Sequence, residues 1–418
     1  MPASTIDLIA AALFAIALLH TFGAKQLERL SRRFPRHAGL FHLLGEVEVV
    51  FGFWAIVLVL VMALVAGGST ALQYAESRNY TEPLFIFVVM VIAGSRPVLL
   101  AVRAAVRTAA RALPMPTALA TVWLGLAVVP LLGSLITEPA AMTIAALMLA
   151  PMAFRRDMPE APKYLALGVL FVNVSIGGTL TSYAAPPVLM VAATWGWDSW
   201  HMLTQFGWKA ALAVLLNASV AAWVLRRHVG AATGAAAEAS TPMPWSVVAV
   251  HLLLLGGVVA LAHHPVAFLA LFLLFLGFTQ AYERHQSPLL LKEALLVAFF
   301  LAGLVVLGGL QRWWLQPIVS ALEPLALFAG ALGLTAVTDN AALTYLGSLI
   351  TDMGAESRYM LVAGAVAGGG LTVIAKAPNP AGLALLKRGF SDESVGAGGL
   401  FLGALWPTAV AACAFLLL

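Results

Sequence analysis

The chain has 418 residues, 61% of them hydrophobic and only 10% charged, and its mean hydropathy is +0.95. Soluble domains run about 45–50% apolar and about 25% charged, so this composition cannot clothe a water-facing surface, and the solvent must be lipid. The 23 Lys and Arg exceed the 19 Asp and Glu by only four and are scattered, which excludes the basic stripe of a nucleic-acid binder. The single cysteine, Cys413, excludes an internal disulfide or a thiolate metal centre and is expected to pack inertly in the terminal apolar run.

A helix needs about 20 apolar residues to cross ~30 Å of hydrocarbon. The first such window, 5–21, follows no basic segment, so it reads as a membrane span rather than a cleaved signal. Further windows lie at 43–66, 84–101, 164–195, 205–225, 245–262, 265–281, 291–309, 359–386 and 396–417. Regions 115–153 and 317–352 are too long for one helix and are interrupted midway. The fold class is therefore an all-α polytopic membrane protein of about ten spans with two re-entrant helical hairpins. It divides into a first span and basic loop (1–42), a first repeat (43–225), a linker and connecting span (226–262) and a second repeat (263–418). The linker proper, 226–244, is rich in small residues and proline.

Orientation follows from the basic residues. Seventeen of the 23 fall in one set of loops, around 25–36, 103–111, 155–163, 226–227, 284–292 and 387–388. Only Arg78, Lys209, Arg312 and Arg358 fall in the other set, while Arg96 and Lys376 lie inside apolar runs. Basic clusters flank 115–153 on both sides, so that hairpin enters and leaves from the cytoplasm; 317–352 enters from outside, and both termini lie outside. Arg103, Arg107 and Arg111 recur every four residues after a break expected at Gly94-Ser95-Arg96-Pro97, as in an interfacial helix on anionic lipid. Trp195, Trp197, Trp200, Trp313 and Trp314 are expected to anchor the outer boundary.

Two motifs recur in the same order. The first interruption reads Thr137-Glu138-Pro139-Ala140-Ala141-Met142-Thr143, and the second reads Thr338-Asp339-Asn340-Ala341-Ala342-Leu343-Thr344. Downstream, Gly177-Gly178 and Ala185-Pro186-Pro187 are answered by Gly369-Gly370 and Ala377-Pro378-Asn379. Matched motifs in oppositely entering hairpins indicate an inverted-topology repeat. Pro removes an N–H and Gly admits strained backbone. Breaks at 177–187 and 369–379 thus free polar groups that cost several kcal/mol each in lipid unless they line a cavity or bind something. Glu138 and Asp339 arrive at the same depth, where a carboxylate is functional by default.

Asp339 ranks first as an ion-binding residue, followed by Glu138, Lys376, Asn340 and Asn173. Hydroxyls and amides of Thr137, Thr143, Thr338, Thr344, Thr179, Thr181, Ser182, Thr372 and Asn379 are candidates to complete the shell, although each is more often a helix-to-helix bonder. Lys376 stands where the first break has Ala184. Its ammonium is expected either to replace one of two pseudo-equivalent cations or to pair with Asp339. Glu48 is expected to form a buried pair with Arg96, while Glu46, two positions earlier, points to another face. His251 is expected to be packed, and His263-His264-Pro265 to be a boundary turn rather than a metal site.

The tip acids followed by Gly-Gly and Ala-Pro-Pro/Asn resemble the ion transporter superfamily of arsenite, dicarboxylate and citrate carriers, with its sodium/proton antiporter branch. The stretch His42-Leu43-Leu44-Gly45-Glu46-Val47-Glu48-Val49-Val50-Phe51-Gly52, preceded by His20-Thr21-Phe22, resembles a bacterial family described as "putative Na+/H+ antiporter". The likeness spans residues 20–416. It implies paired hairpins, a scaffold separate from a moving transport domain, and a homodimer working as an elevator in a bacterial inner membrane. Dicarboxylate carriers have Ser-Asn-Thr clusters at the tips; Thr137-Glu138-Pro139 and Thr338-Asp339-Asn340 favour a cation instead.

No GxxxxGK[ST], HExxH or GxSxG is present. The expected activity is secondary Na+/H+ exchange without a cofactor, with competitive binding of the two ions at Asp339. The runners-up are an H+- or Na+-coupled carrier of a small anion, with Arg96 and Lys376 as its partners, and a membrane enzyme acting on lipid-linked substrates.

Overall fold

The computed structural model describes residues 4–229, 243–391 and 393–418. Most of the linker expected at 226–244 lies outside them, as do the side chains at 24–33 and at His42. The described residues form helices and no strands, as lipid demands of a chain that must satisfy its backbone hydrogen bonds within each segment. Five helices are long and apolar enough to cross a membrane: Glu48–Ala66, Glu160–Leu180, Ser199–Leu225, Leu291–Gly308 and Ala397–Leu417. Counting two bent pairs as single spans brings the number to seven.

By length and composition this falls short of the ten spans expected. The apolar helices Trp245–Ala260 and Pro265–Ala281 stop at the His263-His264-Pro265 turn, and Thr5–Thr21 is the apolar part of a helix that continues to Arg33. The window 43–66 is interrupted at Glu46, whose extended backbone separates Ala38–Gly45 from Val47–Ala66. The break expected near Arg96 is a 65° bend between Thr81–Ala93 and Arg96–Ala112. Beyond it, Val106 and Ala110 are buried and Arg103, Arg107 and Arg111 are exposed, as a helix lying along a surface requires.

The first interrupted region runs through Thr117–Leu126 and Val128–Ile136, bent by 43° at Ala127, then reverses at Thr137 into Glu138–Ala153, which packs back on both. The bend has a covalent cause, because Pro130 has no N–H to offer the Leu126 carbonyl one turn earlier. The second region runs through Arg312–Ser320 and Pro324–Thr335, then reverses before Asn340–Ser348. Two long helices are broken where Gly-Gly and Pro stand. Glu160–Gly177 ends in a short 3-10 turn, Gly178–Leu180, and the chain becomes helical again at Pro186–Trp195. Ala355–Gly368 is followed by irregular chain until Pro378–Leu386.

The packing is reciprocal. The stub after the first break, Pro186–Trp195, lies on Asn340–Ser348 of the second hairpin, and the stub after the second, Pro378–Leu386, lies on Glu138–Ala153 of the first. The unbroken parts cross each other, with the Ser175 hydroxyl donating to the Val366 carbonyl at 2.7 Å. Outside this unit, Val47–Ala66 and Leu291–Gly308 meet at Gly52 and Gly303, where a β-carbon on Gly303 would sit 2.3 Å from the Gly52 nitrogen. Such backbone contact gives van der Waals adhesion in lipid, which supplies no hydrophobic drive between helices.

Three expectations are corrected here. Cys413 is exposed, not packed, on the outer face of Ala397–Leu417. Trp197 is buried between Trp195, His201 and Phe206, although Trp200 and Trp313 are exposed. Lys163, counted with the loops, is enclosed: its ammonium donates to the Gly389 carbonyl at 2.8 Å and pairs with Glu160 at 2.9 Å. His251 is packed as expected, 2.8 Å from the Val247 carbonyl and 3.0 Å from the Gln286 amide.

Candidate functional site

Each hairpin tip delivers its acid differently. In the first, Thr137 adopts φ 79° and ψ 152°, a region almost confined to glycine that costs about 1–3 kcal/mol for other residues. This turn sends the Glu138 side chain into the protein interior, where it is 0% exposed. One carboxylate oxygen lies 3.3 Å from the Lys376 ammonium, itself 2% exposed. The other has no hydrogen-bond partner and rests above Gly178, where a β-carbon would approach it to 2.8 Å. Glycine at 178 is thus what lets the tip acid reach the first break.

At the second tip Asp339 caps Asn340–Ser348, accepting from the Ala341 and Ala342 amides at 2.8 and 3.3 Å through Oδ1. The Ala377 amide of the second break also faces this carboxylate, and the Asn340 amide donates to the Ala375 carbonyl at 3.0 Å. An aspartate here satisfies helix N–H groups and sits at the positive end of the helix dipole. Asp339 and Thr338 line a cavity of about 40 Å³ with Lys376, Thr21 and Glu48. It adjoins a smaller one of about 10 Å³ lined by Asp339, Asn340, Lys376, Pro186 and Pro378. About 10–15 Å³ of such space holds one water, so the larger cavity has room for a small ion or a few waters.

The structure therefore brings Glu138, Lys376, Asp339, Asn340 and Thr338 together with both breaks. Lys376 is hydrogen-bonded to Glu138, not to Asp339, which corrects one of the two roles expected for it. Glu48 lines the cavity with Asp339. Glu46 pairs with Lys292 at 3.2 Å, away from that cavity.

The shell candidates divide. Thr137 Oγ1 and Asn340 Nδ2 are buried without partners, and Asn340 lies over Gly369. The hydroxyls of Thr143, Thr344 and Thr179 bond back within their own turns, to Pro139, Ala341 and Ile176. Thr181 and Thr372 tie the breaks to the descending hairpin arms at Ser134 and Ala336. Asn379 bridges the Gly369 and Thr372 carbonyls, and Ser182 faces Ser199. Gly177 and Gly370 are close-approach points, against the Pro130 carbonyl and the Val172 backbone, and Pro187 continues the helix that Pro186 starts.

Asn173 is drawn elsewhere. Its amide donates to the Leu126 carbonyl at 2.8 Å, the group Pro130 leaves orphaned, and accepts from Asn217 at 3.0 Å. Asn173→Ala is expected to cost about 1–3 kcal/mol of stability by exposing that carbonyl unpaired, with cation affinity unchanged. Melting and cation titration of the variant in detergent check both halves of this.

Sequence reasoning passed over Ser134, whose hydroxyl donates to the Gly177 carbonyl and accepts from the Leu180 amide, bracing the first break. The signal was present: Ser134 precedes Thr137 by the same three residues that separate Thr335 from Thr338.

A polytopic helical membrane protein with two broken helices and acids at two hairpin tips fits the class that moves ions across bilayers. The family described as "Putative Na+/H+ antiporter" matches residues 5–418, and the chain belongs to that family. No curated protein matches it.

Proposed function

We propose that the chain is a secondary-active Na+/H+ antiporter in which the two ions compete for Asp339. The observation that carries this reading is the buried pair Glu138–Lys376, with the half-buried Asp339 sharing a cavity of about 40 Å³ with Lys376. One ammonium held by one acid leaves the second acid to a mobile cation, and a carboxylate in low dielectric exchanges a proton for a metal ion rather than remaining bare. Oxygen donors suit a hard ion such as Na+. The acid excess weighs against the small-anion carrier, and Arg96 lines neither cavity.

The reading includes an inverted repeat, with 43–225 and 263–418 as its halves, placed in a bacterial inner membrane with both termini outside. Reciprocal packing of each post-break stub on the opposite hairpin supports it. So does a shared detail of the breaks: Gly177 lies on the Pro130 carbonyl and Gly368 on the Leu332 carbonyl of the two descending arms. An elevator movement of the hairpin and broken-helix unit against a dimeric scaffold completes the proposal. The test is proton flux in proteoliposomes on adding Na+, Li+, K+ or small anions. A Na+-triggered flux is expected; flux that follows an anion, or no response to any cation, overturns the assignment.

A further inference from the structure

Glu48 opens the helix Val47–Ala66, which packs on Thr5–Arg33 and Leu291–Gly308 rather than on the hairpins. Glu48 nonetheless lines the cavity of Asp339, with Phe51, Phe300, Val373 and Ile374 as apolar walls. The one ammonium in this space, Lys376, is already hydrogen-bonded to Glu138. The hydroxyl-bearing Thr21 and Thr338 line the same cavity. Asn340 is 1% exposed, lines the adjoining cavity with Asp339 and has an unpartnered side-chain amide nitrogen. Two carboxylates and two hydroxyls around a space of about 40 Å³ make a coordination shell for a small cation.

We infer that Glu48 is the second carboxylate of the ion site, closing with Asp339 on one dehydrated monovalent cation. The inference rests on the antiport reading for its biological meaning, but the site itself is a binding claim. Two carboxylates on one cavity disfavour each other's ionisation unless a cation lies between them. Cation entry therefore expels protons from both groups, and more than one proton leaves for each cation bound. Because Glu48 belongs to the scaffold and Asp339 to the hairpin unit, the full shell exists only while the two units are apposed as they are here.

The experiment is Na+ titration of the purified full-length protein in weakly buffered detergent, recording bound 22Na+ and proton release together. The variants are Glu48→Gln, Glu48→Asp and Asp339→Asn. Glu48→Gln is expected to weaken Na+ binding by about tenfold or more, as loss of one ligand charge does, and to lower the protons released per Na+. Glu48→Asp keeps the charge and is expected to recover most of both. If Glu48→Gln matches the unsubstituted protein in affinity and proton count while Asp339→Asn abolishes binding, the inference about Glu48 fails and the antiport reading survives. If Na+ binds with Glu48-dependent proton release but drives no flux in vesicles, the antiport reading fails and the site stands. If no Na+ binds, both fail.

Discussion

Asp339→Asn abolishes Na+-driven proton movement while leaving the protein folded. Both halves of that expectation come from the geometry at the second tip. The carboxylate spends Oδ1 on the Ala341 and Ala342 amides. Asparagine is as good an N-cap as aspartate, whereas alanine would cost about 0.5–2 kcal/mol. The substitution therefore removes the charge and the titratable proton without removing the cap. Reconstituted vesicles with a pH-sensitive dye read the first effect, and the melting temperature in detergent reads the second. Exchange that persists in well-folded Asp339→Asn would remove Asp339 from the mechanism.

Lys376→Met produces the largest change in stability and ties it to sodium. Glu138 and Lys376 are both enclosed, and deleting one partner of a buried pair costs about 3–5 kcal/mol because the remaining charge is left uncompensated. The double substitution Glu138→Gln with Lys376→Met removes both charges and is expected to recover most of that loss. The single variant has a second route to recovery, since a cation can take the place vacated by the ammonium. At a hundredfold excess over its dissociation constant, such a ligand returns about 2.7 kcal/mol. Melting of Lys376→Met is thus expected to rise steeply with Na+ while that of the double variant does not. Equal sodium response in the two would show that Lys376 does not occupy a cation position.

The parts of this architecture that were legible in the sequence are those governed by local backbone chemistry. Gly177 and Gly368 end their helices and Pro186 and Pro378 restart them, close to where glycine pairs and prolines stand in the sequence. The tips were legible because an acid flanked by small residues in an apolar run has no other economical use. Side-chain partnerships were not. Lys376 is near Asp339 in sequence and pairs with Glu138, 238 residues away, because the second break faces the first hairpin. Asn173 is claimed by a carbonyl that Pro130 orphans, a relation visible only once the neighbouring helices are known. Glu48 is expected from the sequence to pair with Arg96, and nothing local to 43–66 says that it also lines the cavity of Asp339.

The cavity at Asp339 takes walls from both sides of the linker, Thr21, Glu48 and Phe51 from one and Phe300, Lys376 and Ala377 from the other. Neither portion of the polypeptide can complete that cavity alone, so on the proposed function the two must be made, inserted and retained as an obligate pair. A chain severed between Leu225 and Trp245 would be inert as either fragment and would regain activity only by complementation, both pieces meeting in one bilayer.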